Sequence, residues 1–291
     1  LRRSGSGAWW LTARVTTVTS ARRSAGGKDI QMIDGFWLGL LVKLAMTALV
    51  VVSATLAAER FGSFVGAMIA ALPISAGPAY FFLALDHDAA FLAQSALASL
   101  GVTALVPPFL LVYAVMARRF GLTLSLATGL GIWCAGAYYL TRMELTLTLA
   151  LALNAVSFAI CLPAARPFLK AALPAIGQRK AMDVVLRVVA VGGVVAFVVL
   201  AGRLLGPTVT GIGAVAPVVW TSMAVILHRR LGGAASSAVL ANGIGGMFGF
   251  CFALSIIHLL AEPLGAFSAL GIALAASVAW SLGLSLARPY L

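Results

Sequence analysis

Two pairs of residues could do chemistry in this chain by their type and placement. Pro73 and Pro217 stand 144 positions apart, and so do Lys43 and Arg187. Each proline falls inside an apolar run long enough to form a membrane helix. There it removes one backbone hydrogen bond and frees a carbonyl one turn earlier. In a bilayer such groups must be satisfied by protein or water. Glycine lies near both prolines. Leu72-Pro73-Ile74-Ser75-Ala76-Gly77-Pro78 reads as an interrupted helix around Gly77, and Gly211-Ile212-Gly213-Ala214-Val215-Ala216-Pro217 as its counterpart. Interrupted helices at matched positions in two halves point to a binding site at the bilayer midplane. For either proline alone, a packing kink is the plain reading, since Pro and Gly are common in membrane helices. Lys43 lies too deep in its run to be an ordinary flank. A cation at the bilayer centre costs about 2.5–3.5 kcal/mol or more, so it is paired, in a wet cavity, or close to an interface. Arg187 has Asp183 one turn earlier as a partner. The functional reading of Lys43 and Arg187 is an anion-binding or gating pair, one at each mouth. The plain reading is two long side chains snorkelling to opposite interfaces.

Polar residues inside the apolar runs are few: Gln94, Asn154, Asn242 and His258. Hydrogen bonding between helices is their default role, and contact with a substrate is the alternative for Gln94, Asn154 and Asn242. His258 and Glu262 are four apart on one helix face, a proton relay or a solvated interfacial pair. Cys134, Cys161 and Cys251 share no metal-ligand or redox spacing and read as small buried hydrophobes. No phosphate-binding loop, His-Glu-x-x-His or Gly-x-Ser-x-Gly motif occurs. The expectation is no enzyme activity, no metal and no cofactor.

The elements that must position these residues are membrane helices. Of the 291 residues 62% are hydrophobic and 10% charged, against about a quarter charged in a soluble domain. The pattern predicts an all-α polytopic transmembrane bundle of about nine spans, near 36–58, 63–84, 90–116, 120–140, 144–163, 182–202, 207–227, 234–260 and 264–286. The net charge of +12 does not point to nucleic acid, because the basic residues gather at helix ends, where orientation is set. With the first helix starting outside, the inside holds Arg118, Arg119, Arg166, Arg187, Arg229, Arg230 and five further basic residues. The outside holds only Arg142 and Arg203, together with the acids Asp34, Asp86, Asp88, Glu144 and Glu262. The basic connection 164–181 and the C-terminus are then cytoplasmic.

The matched residues also predict an internal duplication. Residues 41–57 align with 185–201, and Ser95–Gly101 with Ser237–Gly243 after a two-residue shift. Five spans separate the first helix of one copy from that of the other, so the copies are inverted, as four helices, a linker and four helices. The divisions are a first repeat at 32–141, a linker helix and basic loop at 142–181, and a second repeat at 182–291. Residues 1–31 read as a disordered tail or as sequence upstream of a start at Met32.

The first half carries a further pattern: Lys43, Ser53, Glu59-Arg60, Gly66-Ala67, Ile69-Ala70, Leu72-Pro73, then Asp86-His87-Asp88. Over about residues 36–140 it resembles the small four-helix bacterial inner-membrane proteins of the GlpM type and their uncharacterised relatives. The second half keeps the basic residue and the proline but has Gly202-Arg203 where the first has its Glu. The resemblance implies a four-helix membrane fold in the bacterial inner (plasma) membrane, and no defined activity. Together these features point to a secondary transporter or permease for a small-molecule substrate, with the lipid bilayer as its other partner. The alternative is a non-transporting scaffold or accessory subunit.

Overall fold

The structure is a computed structural model, and it describes residues 37–53, 76–169 and 181–287. Pro73, the tail 1–31 with Met32, and the connection 170–180 lie outside the described residues. Every regular element among the described residues is a helix. In chain order these are α1 (Trp37–Ser53), α2 (Ala76–Asp86), α3 (Ala89–Thr103), α4 (Val106–Met116), α5 (Leu122–Leu140), α6 (Leu147–Leu169), α7 (Ala181–Leu204), α8 (Gly206–Ala214), α9 (Val218–Leu264) and α10 (Ala266–Ala287). The chain divides into a unit of Leu1–Ala45, which holds the opening turns of α1, and a unit of Met46–Leu291. Helices α2 to α10 all belong to the second unit.

Five helical stretches among the described residues are long and apolar enough to cross a membrane: Ala89–Met116, Leu147–Leu169, Met182–Leu204, Gly206–Leu264 and Ala266–Gly283. This is the make-up of a multi-pass helical membrane protein. Gly206–Leu264 has 59 residues. At 1.5 Å per residue it would run about 90 Å, far beyond one bilayer, and it is interrupted twice. The first interruption is at Val215–Pro217. The second is at Gly232, whose φ of 80° is left-handed backbone that glycine adopts without penalty. The sequence pattern places a loop near 228–233. Helical structure instead runs up to Gly232 and resumes after it.

The run 90–116, read from sequence as one helix, also contains a break. Pro107 and Pro108 have no N–H to give to the carbonyls of Thr103 and Ala104. The chain answers with two tight turns, Ala104 N–H to Gly101 O and Leu105 N–H to Val102 O. Then α4 restarts with its prolines in the first turn, where the missing N–H groups cost nothing. The Asp86-His87-Asp88 turn has a local cause as well. Asp88 Oδ1 accepts from Phe91 N–H at 2.8 Å and caps α3.

The α3–α4 rod and the second limb of α9 lie antiparallel. His258 Nδ1 donates to Ala93 O at 2.9 Å, and Ser237 Oγ donates to Ala114 O at 2.7 Å. Twenty-one residues forward on one rod thus match twenty-one back on the other. Contacts at the two ends sort the charges. At one end Gly233 packs on the carbonyl of Ala117, Arg118 lies 4.6 Å from the ring centroid of Phe168, and Arg230 pairs with Asp183 at 2.8 Å. Arg118, Arg119, Arg166, Arg229 and Arg230 therefore share that end. At the other end His87 stacks on Phe91 at 3.9 Å and faces Gly202. Asp86, Asp88, Arg203 and Glu262 lie there. A Cβ on Gly202 would come 2.7 Å from His87 Nε2, so a side chain there would require the His87 ring to shift.

Candidate functional site

The break before Pro217 is built by a short wedge helix. Gly206, with φ of 79°, turns the chain from α7 into α8. Two glycines then let α8 slide between its neighbours. A Cβ on Gly211 would stand 2.1 Å from the Ser95 carbonyl oxygen of α3, and one on Gly213 would stand 2.1 Å from the Phe197 ring of α7. Small residues permit such close backbone approach.

Past Ala214 the helical ladder stops. Pro217 is buried and offers no N–H, so Gly213 O accepts from Ala216 N–H instead. Val218 N–H bends back to Ala216 O at 2.6 Å, which takes from the Ala214 carbonyl the partner a continuous helix would supply. Below the break, α9 begins at Val218 with no capping side chain. Its N-terminal N–H groups carry the positive end of a helix dipole. Ala214, Val215 and Pro217 are buried, and Ala216 and Val218–Trp220 are half-buried.

Hydroxyls face this region from α3. Ser95, Ser99 and Thr103 recur every four residues, and all three are fully buried. Ser99 Oγ donates to Gly211 O at 2.6 Å and shares a 2.6 Å hydrogen bond with Tyr80 OH from α2. Thr103 Oγ1 donates to Ser99 O. Ser95 packs its backbone carbonyl on Gly211, and its Oγ is buried with no hydrogen-bond partner among the described residues. A buried orphan hydroxyl costs on the order of 1–3 kcal/mol, so Ser95 is the strained member of the group. Thr210, Thr221 and Ser222 bond back to carbonyls of their own helices. Among the described residues, the side-chain polar groups named here are neutral hydroxyls. Neutral hydroxyl and carbonyl oxygens can hydrogen-bond a neutral polar solute or coordinate a hard cation.

Of the residues that sequence singles out, Pro217 is at this break. Asn154 is not: it is 4% exposed and locks α6 to the bundle. Its Nδ2 donates to Leu100 O at 2.7 Å and to Ala150 O, while its Oδ1 accepts from Cys251 Sγ at 3.2 Å. Gln94 and Asn242 are exposed, and Asn242 Nδ2 bonds the Ala238 carbonyl of its own helix. Gly77 is exposed at the start of α2, with open space around it. Arg187 is half-buried on α7, one turn after Asp183. Lys43 is half-buried on α1, in the other unit. Pro73 lies outside the described residues.

Sequence reasoning passes over the Ser95/Ser99/Thr103 stripe, although its four-residue spacing is visible in an otherwise apolar helix. It also passes over a second polar knot. The buried Tyr113 OH meets His228 Nδ1 at 3.0 Å and donates to Ser236 Oγ at 3.1 Å. This knot ties α4 to both limbs of α9 across the Gly232 kink. Among the described residues no group of His, Cys, Asp and Glu could hold a metal ion. Comparison of the chain with family models, with curated proteins and with solved structures finds no match in any of the three.

Proposed function

We propose that the chain is a nine-span bacterial inner-membrane protein made of two inverted four-helix repeats, and that it works as a secondary transporter or permease for a small solute. The solute would pass the α8–α9 break, with one repeat rocking against the other. One observation carries the reading. A helix is broken within an apolar bundle, Ala214, Val215 and Pro217 at the break are buried, and Ser95, whose hydroxyl has no hydrogen-bond partner among the described residues, packs its carbonyl on the wedge helix that ends at the break. Non-helical backbone at membrane depth is tolerated where protein buries it or where it lines a cavity.

The order of elements supports the duplication. In each half a helix begins shortly after the matched proline, at Ala76 and at Val218. It ends at a short kink, at His87 and at Gly232. A long rod and a final helix follow. The two rods pack against each other in opposite directions, as copies related by an axis in the membrane plane would. The GlpM-type resemblance of residues 36–140 belongs to the same proposal, as do an inner-membrane location and a cytoplasmic C-terminus.

A second reading, a non-transporting scaffold or accessory subunit, is favoured by a separate observation. Gln94 and Asn242 are exposed polar groups on apolar helices. Such groups are expected to face a partner helix or water rather than lipid.

Water access separates the two readings without knowledge of the solute. In a background lacking Cys134, Cys161 and Cys251, Ser95→Cys and Val215→Cys are exposed to a membrane-impermeant maleimide from each side in turn. A transport site is expected to label both positions from at least one side, while Leu254→Cys, in the core, stays unlabelled. No labelling of either site position would overturn the transport reading and leave the scaffold ahead.

A further inference from the structure

We infer that the arginine-rich end of the bundle is a binding site for the headgroup of an anionic phospholipid. It would be held between the α4–α5 turn, the end of α6 and the kink of α9. The inference rests on the membrane location alone, and not on transport.

The cations at this end have little to neutralise them. Asp183 is the acid there among the described residues, and Arg230 engages it at 2.8 Å. Arg118, Arg119, Arg166 and Arg229 are exposed and have no carboxylate partner among the described residues. They converge for structural reasons. Arg118 and Arg119 form the α4–α5 turn, where the N–H groups of Arg119 and Phe120 both return to Met116 O. Arg166 is on the last turns of α6, two residues before the ring that Arg118 covers. Arg229 stands one turn before Gly233, whose backbone is packed on Ala117 O.

Arg118 distinguishes this from a scatter of flanking charges. Its guanidinium lies 4.6 Å from the centroid of the Phe168 ring. The ring contact restrains the guanidinium, whose N–H groups remain hydrogen-bond donors. A guanidinium edge suits paired oxygens of a phosphate. Apolar surface borders the cations. Phe120 and Leu169 are 48% and 41% exposed, each one residue from Arg119 or Phe168. Cations beside exposed apolar side chains at a helix end match the boundary where a lipid phosphate meets its acyl chains. Basic pockets between membrane helices bind anionic headgroups in this way. A soluble phosphate would match the cations but gain nothing from Phe120 and Leu169.

The test uses the full chain in nanodiscs of phosphatidylcholine with a minor fraction of spin-labelled phosphatidylglycerol. Electron paramagnetic resonance measures the immobilised fraction, with spin-labelled phosphatidylcholine as the reference. The wild-type chain is expected to prefer the anionic lipid by at least about fivefold, the scale of one basic group near an anionic surface. High salt should reduce that preference, and millimolar inorganic phosphate should not. Arg118→Gln with Arg166→Gln should bring selectivity close to that of phosphatidylcholine. Arg142→Gln, at the far end of α5, should leave it intact. Phe168→Leu keeps every charge and should lower selectivity by freeing Arg118. Equal immobilisation of the two lipids by the wild-type chain would overturn the proposal, whatever the variants do. So would displacement by inorganic phosphate, or an equal loss from Arg142→Gln.

Discussion

At Gly211 one methyl group separates two helices that touch from two that cannot. The atom a Cβ would meet is the Ser95 carbonyl oxygen, at 2.1 Å, and backbone cannot rotate away as a side chain can. Gly211→Ala is therefore expected to destabilise the bundle by about 1–3 kcal/mol, the usual range of overpacking. Gly193→Ala and Gly77→Ala have open space around them, and should be neutral or gain about 0.5–1 kcal/mol of helix propensity. Thermal unfolding of the three variants in one detergent checks the order. If Gly211→Ala melts with the other two, the close approach of α8 to α3 is wrong. Ser99→Ala probes the same contact from the other side. It leaves the Gly211 carbonyl without its 2.6 Å donor and Tyr80 without its partner, a loss of about 1–2 kcal/mol. The same melting series, extended to a Tyr80→Phe, Ser99→Ala double variant, should show a double loss smaller than the sum of the single ones. The sequence makes Gly211 visible as part of a glycine run ahead of a proline. It does not say that Ser95 and Ser99 are the groups it meets, because they lie more than a hundred residues away. That pairing is a product of tertiary packing.

Helix breaks were legible in proportion to the company they keep. Pro217 follows two glycines, so the interruption between Ala214 and Val218 is readable from composition. Pro107 and Pro108 sit between two strongly apolar runs, and hydropathy joins those runs into one. Their break at Ala104–Leu105 needs the missing N–H groups to be counted one by one. Gly232 is harder still. His228-Arg229-Arg230 looks like a loop, yet Tyr113 OH holds His228 from α4 and Asp183 holds Arg230 from α7, and the helix continues around them. Asn154 and Asn242 were indistinguishable as isolated amides in apolar helices. Packing buries one and exposes the other. Pro217→Ala tests the α8–α9 junction as an element. The new N–H can rejoin the ladder and straighten the junction. Unfolding should shift by no more than about 1 kcal/mol, the range of compatible backbone substitutions, while labelling of Ser95→Cys falls to background. If labelling is unchanged, the proline shapes the helix without controlling access.

Across the bundle as a whole, the charge pattern and the packing are independent statements about the same two surfaces. The sequence assigns sides by counting Arg and Lys at span ends. The contacts assign ends with no reference to charge. Ala117 meets Gly233 at one end, where Arg118, Arg119, Arg166 and Arg229 collect. His87 faces Gly202 at the other, where Asp86, Asp88 and Glu262 collect. An even number of crossings between two positions would put them on one side of the membrane, and an odd number on opposite sides. From Arg119 to Glu262 the proposed topology has five: α5, α6, α7, and the two crossings of Gly206–Leu264 on either side of Gly232. Arg119→Cys and Glu262→Cys in a Cys-less chain should therefore label from opposite faces, in inside-out vesicles and in intact cells respectively. Both positions are exposed, so access to reagent is not limiting. Labelling of both from the same face would remove one crossing from that stretch. If that crossing is α5 or α6, the inversion of the halves goes with it, since two copies that enter from the same side cannot be related by an axis in the membrane plane; if it is α7 or later, the second copy no longer has four crossings.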